Sequence, residues 1–84
     1  MTINSIGPNP FTDNFKVDFT SATQGSVEIT ISNSSGQLIY WETANANKGF
    51  NTYSFNDAAG LPPGICIVNI IINGEKVTKK LIKL

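Results

Sequence analysis

Side chains capable of acid–base or covalent chemistry are scarce in this 84-residue sequence. It contains no histidine, which is the commonest general base and the commonest metal ligand. The single cysteine, Cys66, lies inside the apolar run ICIVNIII, whereas a nucleophilic cysteine needs an accessible and electropositive setting. Asp18 lies beside Lys16 on the same face of the predicted strand FKVDF, which is typical of a solvated strand face. We therefore predict no catalytic residue, no metal ligand, no cofactor and no small-molecule substrate.

Three aromatic residues, Tyr40, Trp41 and Tyr53, could offer a stacking surface for a sugar. Tyr40 and Trp41 are adjacent in a strand pattern, so their side chains point to opposite faces. At most one of the two can belong to a given surface. Packing in the core or on a sheet face is the favoured role, and a small carbohydrate-binding module stays an alternative.

Basic residues are concentrated at the end of the chain. Residues 75–84 carry a side-chain charge of +3, and residues 1–74 carry −3, so the formal net charge is zero. A neutral chain whose basic residues are all lysine is a poor candidate for binding nucleic acid. Lysines commonly protect an edge strand from aggregation, and charge alone favours that role over a binding surface.

The elements that must position these residues are strands. Apolar residues alternate with polar ones in FKVDF, SVEITIS and NTYSFN, and further strand patterns occur in QLIYWE, ICIVNIII and EKVTKKLIKL. A short strand at residues 3–6 would bring the total to about seven, and no window predicts a helix. We predict an all-β protein, an Ig-like antiparallel β-sandwich of about seven strands. The apolar ICIVNIII indicates a strand that is either covered on both faces or long within a sandwich.

Turn residues separate these strands. GPNPF at 7–11 predicts a stiff lead-in segment that delivers Phe11 to the core, because prolines 8 and 10 cannot belong to an interior strand. GLPPG at 60–64 predicts a rigid turn in which Gly60 and Gly64 permit positive φ. NG at 73–74 is the strongest hairpin signal.

We expect one domain over residues 1–84, in which residues 1–5 are set aside as a linker or an added segment. A lone cysteine forms no internal disulfide, and no signal peptide or membrane-spanning run is present. The expectation is therefore either a cytosolic protein or a piece of a longer exported chain.

Four motifs occur in a fixed order: PNPF at 8–11, SNSSGQLIY at 32–40, LPPGICIVNI at 61–70 and NGEKVTKKLIKL at 73–84. This order resembles the C-terminal sorting domain of the type IX secretion system, the type A family of Bacteroidota, over residues 6–84. That family opens on Pro-Asn-Pro-aromatic, continues with a glycine-containing stretch and a Leu-Pro-x-Gly-x-Tyr turn, and closes on a lysine- and leucine-containing strand. Each motif alone is weak, but the four in order are specific.

The matching positions are Pro8, Asn9, Pro10, Phe11, Gly36, Leu61, Pro62, Pro63, Gly64, Ile65, Gly74, Lys80, Leu81, Ile82, Lys83 and Leu84. Two positions depart from the family pattern. Gln37 stands where the family often has arginine or lysine, and Cys66 stands where it usually has an aromatic residue.

The resemblance implies that the domain is a secretion and sorting signal and not an enzyme. Such a domain directs an N-terminal cargo domain through the periplasm and across the outer membrane of a Gram-negative bacterium. Its partners would be the type IX translocon and the outer-membrane shuttle and sortase components. A sortase-like peptidase often removes it and attaches the cargo to the cell surface.

The closing motif would be the recognition surface, formed by Lys79, Lys80, Leu81, Ile82, Lys83 and Leu84. An Ig-like adhesive or spacer domain, with lysines that serve solubility, is the alternative reading of the same features.

Overall fold

A computed structural model describes residues 1–84 as seven strands joined by short turns. The strands are β1 (Thr2–Gly7), β2 (Phe15–Ser21), β3 (Gly25–Asn33), β4 (Leu38–Ala46), β5 (Gly49–Phe55), β6 (Gly64–Ile72) and β7 (Glu75–Lys83). A single 3₁₀ turn covers Ala58–Gly60, and no helix has the length and apolarity needed to cross a membrane. The all-β prediction is confirmed.

The strands form two antiparallel sheets that pack face to face. The order is β1-β2-β5 in one sheet and β4-β3-β6-β7 in the other, and every pairing is antiparallel. The predicted sandwich of about seven strands is therefore confirmed. Its edge strands are β1 and β5 in one sheet and β4 and β7 in the other.

The core fills the space between the sheets with side chains from alternate strand positions. This is the consequence of the period-two patterns, because successive side chains of a strand point to opposite faces. The buried apolar residues are Phe11, Phe15, Val17, Phe19, Val27, Ile29, Ile31, Ala46, Phe55, Ala58, Leu61, Cys66, Val68, Ile70, Ile72 and Leu81. Phe15 contacts the rings of both Phe11 and Phe55 at the centre of this cluster.

The first residues of the chain belong to the sandwich. Residues 2–7 form β1, which pairs with β2 and shifts register between Ile3 and Ser5. Ile3 and Ile6 pack against the core. The structure therefore places most of the segment that we set aside as a linker within a paired strand.

The apolar strand β6 is covered on one face only. Its inward side chains, among them Val68 and Ile70, are buried, but Ile65 on the outer face is 42% exposed. Of the two arrangements that ICIVNIII left open, the structure shows the long sandwich strand.

The turns follow the local chemistry of their residues in most cases. Asn73 and Gly74 both have positive φ, as the predicted two-residue hairpin between β6 and β7 requires. Gly64 also has positive φ, whereas Gly60 does not, so the prediction for Gly60 was wrong. Gly60 lies at the end of the 3₁₀ turn, where ordinary right-handed backbone angles suffice.

Because Cys66 is buried, the reactivity of its thiol tests which face of β6 points into the core. Its side chain is 1% exposed, and burial raises the pKa of its thiol, although the nearby Lys83 ammonium offsets part of that rise. We expect a maleimide reagent to label Cys66 only after unfolding, because the reactive thiolate is disfavoured in the folded state. Cys66→Ser should lower the free energy of unfolding by about 1–3 kcal/mol, since it places a hydroxyl in an apolar site. Rapid labelling of the folded protein would show that β6 faces the other way.

Candidate recognition site

Strand β7 carries the predicted recognition residues, and its pairing with β6 fixes where they point. The two strands pair without a register shift from Ile72↔Glu75 to Gly64↔Lys83. Leu81 pairs with buried Cys66 and therefore faces the core, whereas Ile82 pairs with Ile65 on the outer face. Odd-numbered residues of β7 thus face the other sheet, and even-numbered residues face outward.

The opening motif of the chain binds the closing one directly. The amide of Phe11 donates to the carbonyl oxygen of Ile82 at 2.9 Å, and the amide of Leu84 donates to the carbonyl oxygen of Phe11 at 3.0 Å. The side-chain oxygen Oδ1 of Asn9 accepts the amide of Ile82 at 2.8 Å. We call these contacts the Asn9–Phe11 clamp. The clamp adds a short parallel bridge to the outer edge of β7, so it fixes residues 82–84.

The clamp explains two features of the opening motif. Phe11 is 1% exposed and packs edge-on against Phe15 with ring centres 5.2 Å apart, so its ring anchors the segment. Its backbone then lies beside the end of β7. Pro8 and Pro10 are exposed and donate no backbone hydrogen bond, so they flank Asn9 without competing for partners on β7.

Lys83 is buried, which corrects the expectation that its side chain belongs to the recognition surface. It shares the inward face with Leu81 and is only 8% exposed. Its Nζ donates to the backbone oxygen of Leu84 at 2.8 Å. A buried charge needs such a partner, since desolvation of an ammonium is otherwise costly.

Lys79 and Lys80 are exposed and form no ion pair. Lys80 points outward beside Ile67, and Lys79 lies on the inward side at the open rim of the sandwich. Glu75, the single acidic residue of β7, forms no ion pair with either lysine. Ile82 and Leu84 are also exposed, at 45% and 63%.

The predicted recognition residues therefore divide into two groups. Lys79, Lys80, Ile82 and Leu84 are accessible to a partner, whereas Leu81 and Lys83 are buried and hold the strand in place. The six residues do not form one continuous surface.

Most of the other motif residues gather around the same end of β7. Gly64 pairs with Lys83, and it directly follows Pro63 in the turn that begins with buried Leu61. The β3–β4 turn that contains Gly36 is also close to this end. Asn33 at the start of the turn pairs with Cys66, and Cys66 pairs with Leu81 of β7. Gly74 is the exception and lies in the hairpin at the opposite end. Residues far apart in sequence thus support one end of one strand.

Side-chain hydrogen bonds of two asparagines hold this end together. Oδ1 of Asn33 accepts the amides of Ser35 and Gln37, both at 3.0 Å, which stabilises the turn. The role of Asn9 was not apparent from the sequence, because its partner Ile82 is 73 residues away. No local sequence pattern predicts such a contact.

The aromatic residues do not form a sugar-binding platform. Trp41 lies on the outer face of its sheet and is 56% exposed. Tyr40 points inward onto Phe55, with ring centres 4.7 Å apart, and Tyr53 belongs to the other sheet. The prediction that Tyr40 and Trp41 face opposite ways is confirmed.

Glu42 ties the two sheets together at the β4–β5 rim. Its Oε2 accepts the hydroxyls of both Tyr40 and Tyr53. Burial raises the pKa of both phenols, and the hydrogen bonds to Glu42 raise them further. Glu42 therefore binds the two tyrosines in their neutral, protonated form.

We expect Tyr40 and Tyr53 to make the folded protein less stable at alkaline pH. The unfolded chain releases the phenolic protons near pH 10, whereas the folded state retains them, so the folded state binds more protons above that pH. Stability should therefore be full below about pH 10 and fall as pH rises through the raised folded values. Urea unfolding of the protein and of a Tyr40→Phe, Tyr53→Phe double variant checks this. An equally steep decline in the double variant would assign it to other groups.

Comparison with protein families gives a match over nearly the whole chain. The family model described as "Secretion system C-terminal sorting domain" matches residues 5–84. A comparison with curated proteins returned no match to this sequence. The matched range contains all the strand-pairing residues of β7 and both residues of the clamp. The chain belongs to the family of C-terminal sorting domains of the type IX secretion system, which is a family of sorting signals and not of enzymes.

Proposed function

We propose that the type IX machinery recognises this domain through the clamped end of β7 and the exposed lysines that precede it. The observation that carries the proposal is the convergence of the opening and closing motifs on one structural unit. The clamp fixes the backbone of residues 82–84, so Ile82 and Leu84 are presented in a defined geometry. Lys79 and Lys80 add unpaired positive charge directly beside it. Charge of this kind acts mainly on the rate and specificity of encounter.

The domain would then act as the address of a cargo domain fused ahead of residue 1. The translocon and its outer-membrane shuttle carry the cargo to the cell surface or the extracellular space. A sortase-like peptidase then cuts ahead of the sandwich and attaches the cargo to the surface. The pairing of β1 supports a cut ahead of the sandwich, because a cut within β1 would have to break its pairing with β2.

Neutralising the two exposed lysines should reduce export without unfolding the domain. The variant is Lys79→Gln with Lys80→Gln, in a reporter fused ahead of the domain and expressed in a host with type IX secretion. Export should fall, with the reporter held in the periplasm. Thermal stability should change little, since exposed charges contribute under about 1 kcal/mol each.

The chain offers a matched control for this experiment. Lys16→Gln with Lys48→Gln removes the same charge from two other exposed lysines. Export of this control should be normal. If both double variants are exported normally, Lys79 and Lys80 only protect the edge of β7, and the proposal is wrong about their role.

Surface attachment needs a separate measurement. We expect cell-bound reporter to be shorter than the full fusion, with its new end ahead of residue 2, as mass spectrometry of the purified reporter would show. Full-length reporter on the surface would contradict removal while leaving export intact.

A further inference from the structure

The side of β7 that faces away from β6 is bonded over only part of its length. The amide and carbonyl of Ile82 point that way, because the Asn9–Phe11 clamp binds them. Backbone groups two residues apart in an antiparallel strand point the same way, so those of Lys76, Thr78 and Lys80 do as well. None of these three has a hydrogen-bond partner on that side. We call them the free edge.

The free edge differs from the three other sheet edges of the protein. β1 and β4 each shift register against their neighbours, which disrupts the regular ladder that an added strand needs. β5 pairs regularly but carries no charged residue. β7 pairs with β6 over its whole length without a shift and is rich in lysine. Only β7 combines a regular backbone with a run of like charge.

The charge around the free edge is uncompensated. Lys76 and Lys80 lie on the outer face, and Lys79 lies on the inward side at the rim. All three are exposed and none of them forms an ion pair. Edge lysines repel a second copy of the same strand, but they attract a strand of opposite charge.

We propose that the free edge of β7 binds an extended segment of a partner protein that carries acidic side chains at alternate positions. The segment adds as a fifth strand to the four-stranded sheet, and the clamp marks where it must stop. Backbone hydrogen bonds to Lys76, Thr78 and Lys80 supply affinity, as in other cases of strand addition. Acidic side chains opposite Lys76 and Lys80, and an apolar one opposite half-buried Val77, supply specificity.

The inference deepens the proposed function and rests on it only for placing the partner within the secretion machinery. Binding itself can be measured on the isolated domain. The probe is a synthetic peptide of alternating glutamate and valine, as long as the nine residues of β7. Its affinity comes from fluorescence anisotropy, and its position comes from amide hydrogen exchange read by nuclear magnetic resonance.

The exchange pattern identifies the edge. The amides of Lys76, Thr78 and Lys80 should exchange at least about tenfold more slowly with saturating peptide, because they become hydrogen-bonded. The amides of Val77 and Lys79 already pair with β6, so their exchange should change little. Affinity should fall with added salt, since the charges are exposed. A peptide of alternating lysine and valine should not bind.

Thr78 allows a backbone test with a matched side-chain control. Thr78→Pro removes a donor from the free edge, where proline is tolerated because that amide makes no bond within the sheet. Peptide affinity should fall about tenfold in Thr78→Pro. Thr78→Ala keeps the backbone amide but loses the γ-methyl group and the hydroxyl that donates to Oδ1 of Asn69 at 2.7 Å, and it should bind within about twofold of the parent. Circular dichroism checks that both variants are folded. If Thr78→Pro is unfolded, the protection of the Lys76, Thr78 and Lys80 amides in the parent protein is the test of strand addition.

Three results would overturn the inference. These are no binding of the acidic peptide, protection confined to amides outside β7, and self-association of the domain through the free edge without peptide. If the lysine double variant is exported normally but the peptide protects the free edge, the proposed function alone is refuted. If the lysine double variant loses export but the peptide does not protect the free edge, the strand addition alone is refuted.

Discussion

Replacing Phe11 with alanine is expected to lower the free energy of unfolding by about 3–5 kcal/mol, the usual cost of removing a fully buried phenylalanine ring. The ring is 1% exposed and packs edge-on against Phe15 in the centre of the core. A domain of this size has a total stability of roughly 5–10 kcal/mol, so much of it would be lost. Urea unfolding followed by circular dichroism measures the change.

Phe50 provides the matched control for Phe11. It is the same residue type but is 65% exposed on the three-stranded sheet. Phe50→Ala should change the free energy of unfolding by no more than about 0.5 kcal/mol. Equal destabilisation by the two variants would mean that the opening motif does not anchor the sandwich.

The Phe11 variant also links folding to sorting. Because the backbone of Phe11 forms the clamp, loss of its anchor should release residues 82–84. Hydrogen exchange at the Ile82 and Leu84 amides should therefore accelerate more than exchange at the centre of β3. In the reporter assay we expect export of Phe11→Ala to fail, for a structural reason that differs from the loss of charge in the lysine variant.

The second large effect is expected at two neighbouring residues of the closing motif. Leu81→Ala should lower the free energy of unfolding by about 2–5 kcal/mol, because Leu81 is 1% exposed and its removal leaves a cavity. Ile82→Ala should cost less than about 1 kcal/mol, since Ile82 is 45% exposed and loses mainly its cross-strand contact with Ile65. The same urea titrations compare the two.

The pair separates folding from recognition within the recognition motif. Ile82→Ala leaves a folded domain, so any loss of its export in the reporter assay reports on recognition. Leu81→Ala acts through stability, and its export should recover at lower growth temperature if folding is the only defect. A larger loss of stability in Ile82→Ala than in Leu81→Ala would mean that β7 faces the other way and would reverse the assignment of its two groups.

The predicted architecture followed from local features. Period-two alternation places Phe15, Val17 and Phe19 on one side of a strand in any fold, and turn residues separate one strand from the next. NG at 73–74 fixes the last hairpin because these two residues accept positive φ at low cost. Pro8 and Pro10 exclude an interior strand and so predict a stiff segment ahead of Phe11. Each of these constraints acts over a few residues and needs no tertiary information.

The burial of Lys83 could be predicted in part from the same alternation of side chains. Positions 81 and 83 of a strand share a face, so a buried Leu81 turns Lys83 toward the core. Residue type alone points the other way, because lysine is rarely buried without a partner. The acceptor on the adjacent Leu84 is local, but only the fold supplies the surrounding core in which the Lys83 side chain is buried.

Sequence by itself determined that the protein is a small antiparallel sandwich with a basic closing strand, because alternation, turn chemistry and charge are local properties of the chain. The tertiary structure decided that β7 is an edge strand and that Asn9 and Phe11 close its last residues. It also left the edge at Lys76, Thr78 and Lys80 open. The pairing partner of a strand depends on residues far away along the chain, and a period-two pattern states which way side chains point but not what lies beside the backbone.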